Sequence, residues 1–147
     1  MTTPETSTRS VIVERDFPHP PEKLWRALTE SSLIEAWLMK NDFQPVAGRA
    51  FTLRSDPVPN WNGIIECKVL AAEPSKTLSY TWGTLGHDSV VTFTLTPTDA
   101  GTHLRMEQSG FRPDQEKNYK GAIYGWQRFI GNLEQVVAGL DSPGPKS

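Results

Sequence analysis

From about residue 49 to residue 107, apolar and polar side chains alternate with a period of two, and this alternation constrains the fold more than any other feature. Short segments that contain proline or glycine interrupt the alternation. Each run is typical of a strand with one covered face and one face in solvent, so we predict an antiparallel sheet. Because the turns are short, consecutive strands are expected to pair as a meander. The apolar members of the runs are Phe51 and Leu53; Ile65, Cys67 and Val69; Leu78, Tyr80 and Trp82; Val91, Phe93 and Leu95; and Leu104 and Met106.

After the alternation, residues 114–140 show the repeat of an α-helix. Apolar side chains recur there at spacings of three and four residues, and Pro113 and Asp114 precede them as helix-start signals. The pattern predicts a helix of about 25 residues, roughly 37 Å long at 1.5 Å per residue. Its apolar stripe is expected to pack on the covered face of the sheet. The stripe consists of Tyr119, Ile123, Trp126, Ile130, Leu133 and Val137, widened by Ala122, Phe129, Val136 and Leu140.

The segment before the alternation predicts a strand and two short helices. Residues 10–17 form the strand, and a proline-rich segment ends it. One helix begins at Pro21, and a second begins with Ser31 or Ser32 as its N-cap residue. Glu35 lies three residues after Ser32, the spacing that a capping box requires. We therefore predict one α+β domain over residues 10–140, in the order strand, two short helices, about six strands and a long helix. The polar segments 1–9 and 141–147 are expected to be flexible tails.

Composition excludes several classes of function. Fifteen Lys and Arg residues against seventeen Asp and Glu residues give a net charge of −2, which argues against a nucleic-acid partner. No apolar run approaches the ~18 residues of a membrane span, and no secretory signal follows Met1, so we expect a cytoplasmic protein. The single cysteine, Cys67, excludes a disulfide within the chain and a cysteine-rich zinc site.

The sequence offers no catalytic, metal or cofactor motif. None of the three histidines, His19, His87 and His103, has a second ligand at metal-binding spacing. Cys67 lies on an apolar strand face, where a cysteine is usually a small core side chain rather than a nucleophile. The sequence contains neither a nucleophile elbow nor a glycine-rich phosphate or dinucleotide loop. We therefore predict no catalytic residue, no metal and no cofactor, and an enzyme is the less favoured interpretation.

Three groups of sequence segments carry a resemblance to a known superfamily. They are residues 20–29 with 34–38, residues 72–82, and residues 91–95 with 101–106, 109–111 and 125–126. Taken in this order, they resemble the START-like or SRPBCC superfamily, which includes the birch-pollen-allergen-like proteins. The likeness is greatest to the branch related to the activator of the heat-shock-protein-90 ATPase and its C-terminal domain. It implies a helix-grip fold, in which a curved antiparallel sheet of about six to seven strands wraps around the long C-terminal helix and two short helices close one end.

Members of this superfamily often enclose an apolar cavity between the sheet and the long helix, and bind lipids, polyketides or other hydrophobic molecules. For each aromatic residue, packing in a solid core is the alternative to lining a cavity. The polar ends of the tyrosine, tryptophan and glutamine side chains need hydrogen-bond partners if they are buried, and this requirement favours a cavity wall. Gly121 and Gly125 would leave room on the helix beside such a cavity. Trp82 and Trp126 are expected to face each other across it. The candidate ligand-binding residues are Trp37, Phe51, Tyr80, Trp82, Phe93, Met106, Gln108, Tyr119, Ile123 and Trp126.

Three functions remain open from the sequence. The first is binding of a hydrophobic small molecule, with stress response as a candidate setting. The second is a co-chaperone-like role, with a heat-shock ATPase as the protein partner. The third is a polyketide cyclase-like enzyme in which Tyr80, Tyr119 or Gln108 orients a carbonyl group and a carboxylate acts as base. The loop at 55–62, which is rich in proline and carries Trp61, departs from the family pattern and is expected to alter the mouth of the cavity or its selectivity.

Overall fold

A computed structural model describes residues 9–55, 63–84, 87–111 and 116–140. Seven strands form one antiparallel sheet in the order β1-β7-β6-β5-β4-β3-β2. Two short helices follow the first strand and a 25-residue helix ends the described chain, so the predicted α+β helix-grip fold is confirmed. The elements are β1 (Arg9–Phe17), α1 (Pro21–Thr29), α2 (Ser31–Trp37), β2 (Lys40–Asn41), β3 (Ala50–Arg54), β4 (Ile64–Glu73), β5 (Thr77–Thr84), β6 (His87–Thr98), β7 (Gly101–Phe111) and α3 (Glu116–Leu140).

Some predicted features lie outside the described residues. These are the loop segment 56–62 with Trp61, the turn residues 85 and 86, and the helix-start signals at 113 and 114. The same holds for the ends 1–8 and 141–147. Arg9, which we expected in the N-terminal tail, opens β1 instead, because it pairs with Phe111 at the end of β7.

The entry to α2 differs from the predicted capping box. The helix begins at Ser31, and Glu30 is its N-cap residue, without a side-chain cap. The carbonyl oxygen of Glu30 accepts the first bonds of the helix, from the backbone nitrogens of Leu33 and Ile34 at 2.9 Å each. The hydroxyl of Ser31 donates to the carbonyl oxygen of Asn41 at 3.1 Å, so it ties α2 to the short strand β2 rather than capping the helix.

The helices cover one face of the sheet. The helix α3 contacts β1, β7, α1 and α2, and Arg15 of β1 forms an ion pair with Glu134 of α3 at 2.9 Å. The indole nitrogen of Trp37 donates to the carbonyl oxygen of Ala27 at 2.8 Å and fastens α2 to α1. Within the described part of the chain, none of the helices is long and apolar enough to cross a membrane.

The apolar stripe of α3 is buried unevenly. Trp126, Ile130, Leu133 and Val137 are inaccessible to solvent or nearly so, whereas Phe129 and Val136 at the side of the stripe are half-buried. Tyr119 is only half-buried and Ile123 is 39% exposed, although the helical repeat predicts both on the covered face. The N-terminal turns of α3 are therefore less completely covered than its C-terminal half.

A β-bulge interrupts the pairing of β4 with β5. Val69 lies opposite Tyr80 and Ala71 lies opposite Ser79, so Leu70 is an extra residue in β4. Its side chain is 48% exposed, whereas Val69 is fully buried. Bulges of this kind bend a strand and change the direction of nearby side chains.

Candidate functional site

Aromatic rings make an unbroken series of contacts in the interior between the sheet and α3. The ring of Tyr80 has its centroid 5.1 Å from that of Phe51 and 6.1 Å from that of Phe93. Phe93 lies 6.0 Å from Trp126 of α3, and Trp126 lies 5.3 Å from Trp82. Most of the pairs meet edge to face, which the ring quadrupoles favour. The series extends to Phe43, 4.9 Å from Phe51, to Trp37, 6.2 Å from Phe93, and to Phe129, 5.5 Å from Trp126.

A buried chain of hydrogen bonds crosses the same interior. The indole nitrogen of Trp126 donates to Oε1 of Gln108 at 2.7 Å, and Nε2 of Gln108 donates to Oγ of Ser89 at 2.8 Å. The hydroxyl of Ser89 donates in turn to the carbonyl oxygen of Trp82 at 3.2 Å. All four residues are at most 8% exposed. The chain joins α3 to three strands and gives the polar ends of Trp126 and Gln108 partners inside the protein.

The hydroxyl of Tyr80 has no such partner. The residue is 4% exposed, and no hydrogen bond reaches its hydroxyl from any residue of the described ranges. Burial raises the pKa of Tyr80 well above its usual range, and the nearby thiol of Cys67 raises it further. The phenol therefore stays protonated and keeps a donor that the described protein groups do not use.

Tyr80 also stands at the bulge of β4. It pairs with Val69, the last residue before the extra Leu70. The backbone of Val69 bonds on its other side to the loop before β3: its carbonyl oxygen accepts from Gly48 at 2.7 Å and its nitrogen donates to Arg49 at 2.9 Å. The loop before β3 thus holds Val69, and Tyr80 itself pairs with Val69 of β4 on one side and with Val91 of β6 on the other.

The predicted ligand-binding residues fall into two groups. Eight lie together in the buried interior, and one of these eight, Met106, is the cross-strand partner of Phe93. Tyr119 lies at the margin, with its ring 5.6 Å from that of Phe111. Ile123 stands at the exposed part of α3. The eight interior residues are Trp37, Phe51, Tyr80, Trp82, Phe93, Met106, Gln108 and Trp126.

Three residues that line this interior are not among the predicted ligand-binding residues. Ser89 extends the alternation of β6 by one step, so its inward direction was available from the pattern. Phe129 belongs to the predicted apolar stripe of α3 but not to the predicted ligand-binding residues. Phe43 lies in an irregular segment held by Asn41, whose Oδ1 accepts from the Phe43 backbone nitrogen at 3.1 Å. No periodicity marks that segment.

The remaining candidate groups have ordinary structural environments. Burial raises the pKa of the Cys67 thiol to about 12, with smaller contributions from Asp42 and Glu66, so the reactive thiolate is not formed near neutral pH. His103 lies in an exposed position between Asp16, 2.7 Å from Nδ1, and Glu14, 2.8 Å from Nε2. Among the described residues, no group of three or more His, Cys, Asp or Glu side chains could hold a metal ion. The side chain of His87 lies outside the described part.

Comparisons with known proteins agree on the fold. The sequence profile of the family described as "Activator of Hsp90 ATPase homolog 1-like protein" matches residues 18–138. The crystal structure of protein MLL2253 from Mesorhizobium loti is 58% identical, covers 91% of this chain and 100% of that one, and has a TM-score of 0.84. The solution structure of BH1534 from Bacillus halodurans is 28% identical over 88% of this chain and 96% of that one, with a TM-score of 0.75.

A more distant structure supports the fold alone. CalU16 from Micromonospora echinospora is 22% identical, covers 95% of this chain and 78% of that one, and has a TM-score of 0.75. A comparison with curated proteins found no match.

Proposed function

The chain belongs to the Activator of Hsp90 ATPase homolog 1-like family, a branch of the START-like superfamily, and we propose that it binds a hydrophobic small molecule between the sheet and α3. Lipids, polyketides and aromatic compounds are the candidate classes. The family's fold supports this proposal because its sheet and long helix enclose an apolar interior. The candidate contact residues are the interior rings, together with Tyr119 and Ile123 at the margin.

One observation carries the proposal. The ring series runs without a break from the buried centre at Phe93, through Trp126, to the half-buried Phe129. On the same helix Tyr119 is half-buried and Ile123 is 39% exposed. An apolar molecule that continues the series would cover these surfaces, and full burial of an aliphatic side chain contributes about 1.5–3 kcal/mol. Small-molecule sites are typically apolar with a few polar groups, as this interior is.

Titration with Nile red, a neutral apolar dye whose emission rises in apolar surroundings, tests the proposal. We expect saturable binding to the wild type and at least tenfold weaker binding to Ile123→Asp. The matched control is Leu70→Asp, which places the same charge on an aliphatic side chain of similar exposure, 48%, on β4. Two outcomes would contradict a site beside α3: the dye does not bind the wild type, or both variants weaken its binding equally.

A second candidate function follows from the family description. A regulator of a heat-shock ATPase needs a surface for its protein partner, and Ile64 and Leu70 on β4 are apolar and 37% and 48% exposed. The same two variants separate the functions. If the protein stimulates the ATPase of an Hsp90 homologue through this face, Leu70→Asp reduces the stimulation and Ile123→Asp does not. No stimulation at micromolar concentrations argues against this function.

The cyclase-like alternative needs a general base in the interior. The buried polar side chains within the described ranges are all uncharged, so no carboxylate or imidazole there is placed to remove a proton from a bound molecule. The observations therefore favour binding over such a reaction. These buried polar residues are Thr29, Ser79, Ser89, Thr102 and Gln108.

A further inference from the structure

We propose that Tyr80 selects the ligand: the interior takes an uncharged molecule whose carbonyl-type oxygen accepts a hydrogen bond from the Tyr80 hydroxyl. This inference rests on the proposed binding function and narrows it to a chemical class. It distinguishes uncharged ketones, esters and amides from plain hydrocarbons and from carboxylates. It also separates the role of Tyr80 from that of the neighbouring rings, which supply contact area.

The unused hydroxyl is the first step of the argument. Tyr80 is 4% exposed, and within the described ranges no protein group bonds to its hydroxyl. Trp126, Gln108 and Ser89 show the contrast, because each of these buried polar groups has a bond of 2.7–3.2 Å. Leaving a buried donor unpaired costs free energy, so such groups are uncommon and call for an explanation. A bound acceptor supplies that explanation.

The protonation state gives the direction of the bond. Burial keeps the pKa of Tyr80 well above its usual range, so the hydroxyl carries its proton at any physiological pH. The thiol of Cys67 does not use that proton, since its contact runs to the carbonyl oxygen of Ile65 at 3.8 Å. A phenol is a stronger donor than acceptor, and the missing partner is therefore an oxygen or nitrogen with a free lone pair.

The charge of the surroundings excludes an ionised partner. Every buried polar side chain within the described ranges is neutral, so no buried lysine, arginine or histidine there would balance a carboxylate. Removing an unpaired charge from water is far more costly than removing a neutral carbonyl group. An anionic head group would therefore stay in solvent, whereas a ketone or ester oxygen could reach Tyr80.

The rings around Tyr80 indicate the shape of the rest of the ligand. Phe43, Phe51 and Phe93 surround the phenol with centroid distances of 6.2, 5.1 and 6.1 Å. Flat ring faces and edges pack best on other planar groups. The acceptor oxygen should consequently belong to, or lie next to, an aromatic or similarly planar body.

Three naphthalene probes test the inference. 2-Acetylnaphthalene carries a neutral acceptor, 2-ethylnaphthalene has nearly the same shape without one, and 2-naphthoate is anionic. Affinities are measured by NMR titration of the full chain as wild type, as Tyr80→Phe and as Tyr124→Phe. Tyr124→Phe is the matched control, because it removes the same hydroxyl from a side chain that is 68% exposed.

We expect Tyr80→Phe to weaken the binding of 2-acetylnaphthalene about tenfold and to change the binding of 2-ethylnaphthalene less than twofold. Tyr124→Phe should change the binding of neither compound. 2-Naphthoate should bind at least tenfold more weakly than the ketone. If the ketone and the hydrocarbon lose the same affinity in Tyr80→Phe, or lose none, the inference is overturned while apolar binding stands. If none of the probes binds the wild type at millimolar concentration, the proposed binding function fails together with the inference.

Discussion

Trp82 and Trp126 face each other across the interior with ring centroids 5.3 Å apart and ring planes inclined at 53°. One comes from β5 and the other from α3, and a chain of hydrogen bonds through Gln108 and Ser89 connects them. Ring contact and hydrogen bonds therefore fix the same junction between the sheet and the helix. This junction makes the position of α3 depend on polar contacts as well as on apolar burial.

Replacing Gln108 should loosen this junction. In Gln108→Leu the indole nitrogen of Trp126 and the hydroxyl of Ser89 both lose a partner at positions that are 2% and 4% exposed. Each unsatisfied buried group costs about 1–3 kcal/mol, so for the two groups together we expect the free energy of unfolding to fall by about 2–6 kcal/mol. Urea unfolding followed by tryptophan fluorescence measures the change, and near-ultraviolet circular dichroism reports the tryptophan pair.

The control for this prediction is Gln44→Leu, since Gln44 is exposed. It should change the free energy of unfolding by less than about 0.5 kcal/mol. A loss of similar size in both variants would mean that the hydrogen-bond chain is not what stabilises the junction.

The strands and the long helix could be predicted from the sequence because the period of their apolar residues reflects which face is covered. The alternation at Val91, Phe93 and Leu95, for example, coincides with buried positions on β6. The facing tryptophans followed from the same reasoning, because each lies on the apolar side of its element. Local sequence patterns of this kind contain the information about burial directly.

Other features depend on contacts that no local pattern encodes. The bulge at Leu70 arises from how β4 pairs with β5, and the partner of the Ser31 hydroxyl is a carbonyl group ten residues further along the chain. The exposure of Ile123 depends on what lies opposite the first turns of α3. The unpaired hydroxyl of Tyr80 could not be predicted either, because a buried tyrosine normally finds a partner.

The His103 cluster should make stability depend on pH. Hydrogen bonds that the ring of His103 donates to the carboxylates of Asp16, first, and Glu14 raise the pKa of His103 in the folded state. Its stabilising contribution is therefore fully present below the unfolded-state pKa of about 6.5 and is lost as the pH rises through the higher folded-state value. We expect the urea midpoint to decrease between pH 6 and pH 8, and salt to reduce the effect because the site is exposed.

His103→Gln isolates this contribution. The variant keeps a polar side chain but cannot become charged, so its urea midpoint should vary less with pH over the same range. An NMR titration of the histidine ring protons measures the folded-state pKa of His103 directly. An unraised pKa, or an identical pH dependence in both proteins, would exclude the two carboxylates as the cause.

Two glycines should respond in opposite ways to alanine. Gly101 begins β7 with φ +151°, and a Cβ atom there would lie 2.6 Å from the backbone nitrogen of His19 and closer still to the carbonyl oxygen of Phe17. Since both contacts are with backbone, the strand must shift, and we expect Gly101→Ala to destabilise the fold by about 3 kcal/mol.

Gly131 lies within α3 with open space around the added atom, so Gly131→Ala should stabilise the fold by about 1 kcal/mol. Thermal unfolding of the two variants measures both changes, and a Gly101→Ala protein as stable as the wild type would contradict the close approach.

Removing the hydroxyl of Tyr80 should stabilise the ligand-free protein. Tyr80→Phe keeps the ring contacts with Phe51 and Phe93 and eliminates a buried donor that has no partner within the described residues. Relief from an unsatisfied buried group predicts an increase of about 1 kcal/mol in the free energy of unfolding. Urea unfolding at pH 7 measures it, with Tyr124→Phe as the control that should change by less than about 0.5 kcal/mol. A loss of stability in Tyr80→Phe would show that the hydroxyl already has a hydrogen-bond partner in the ligand-free protein, and it would contradict a hydroxyl that is available to a ligand.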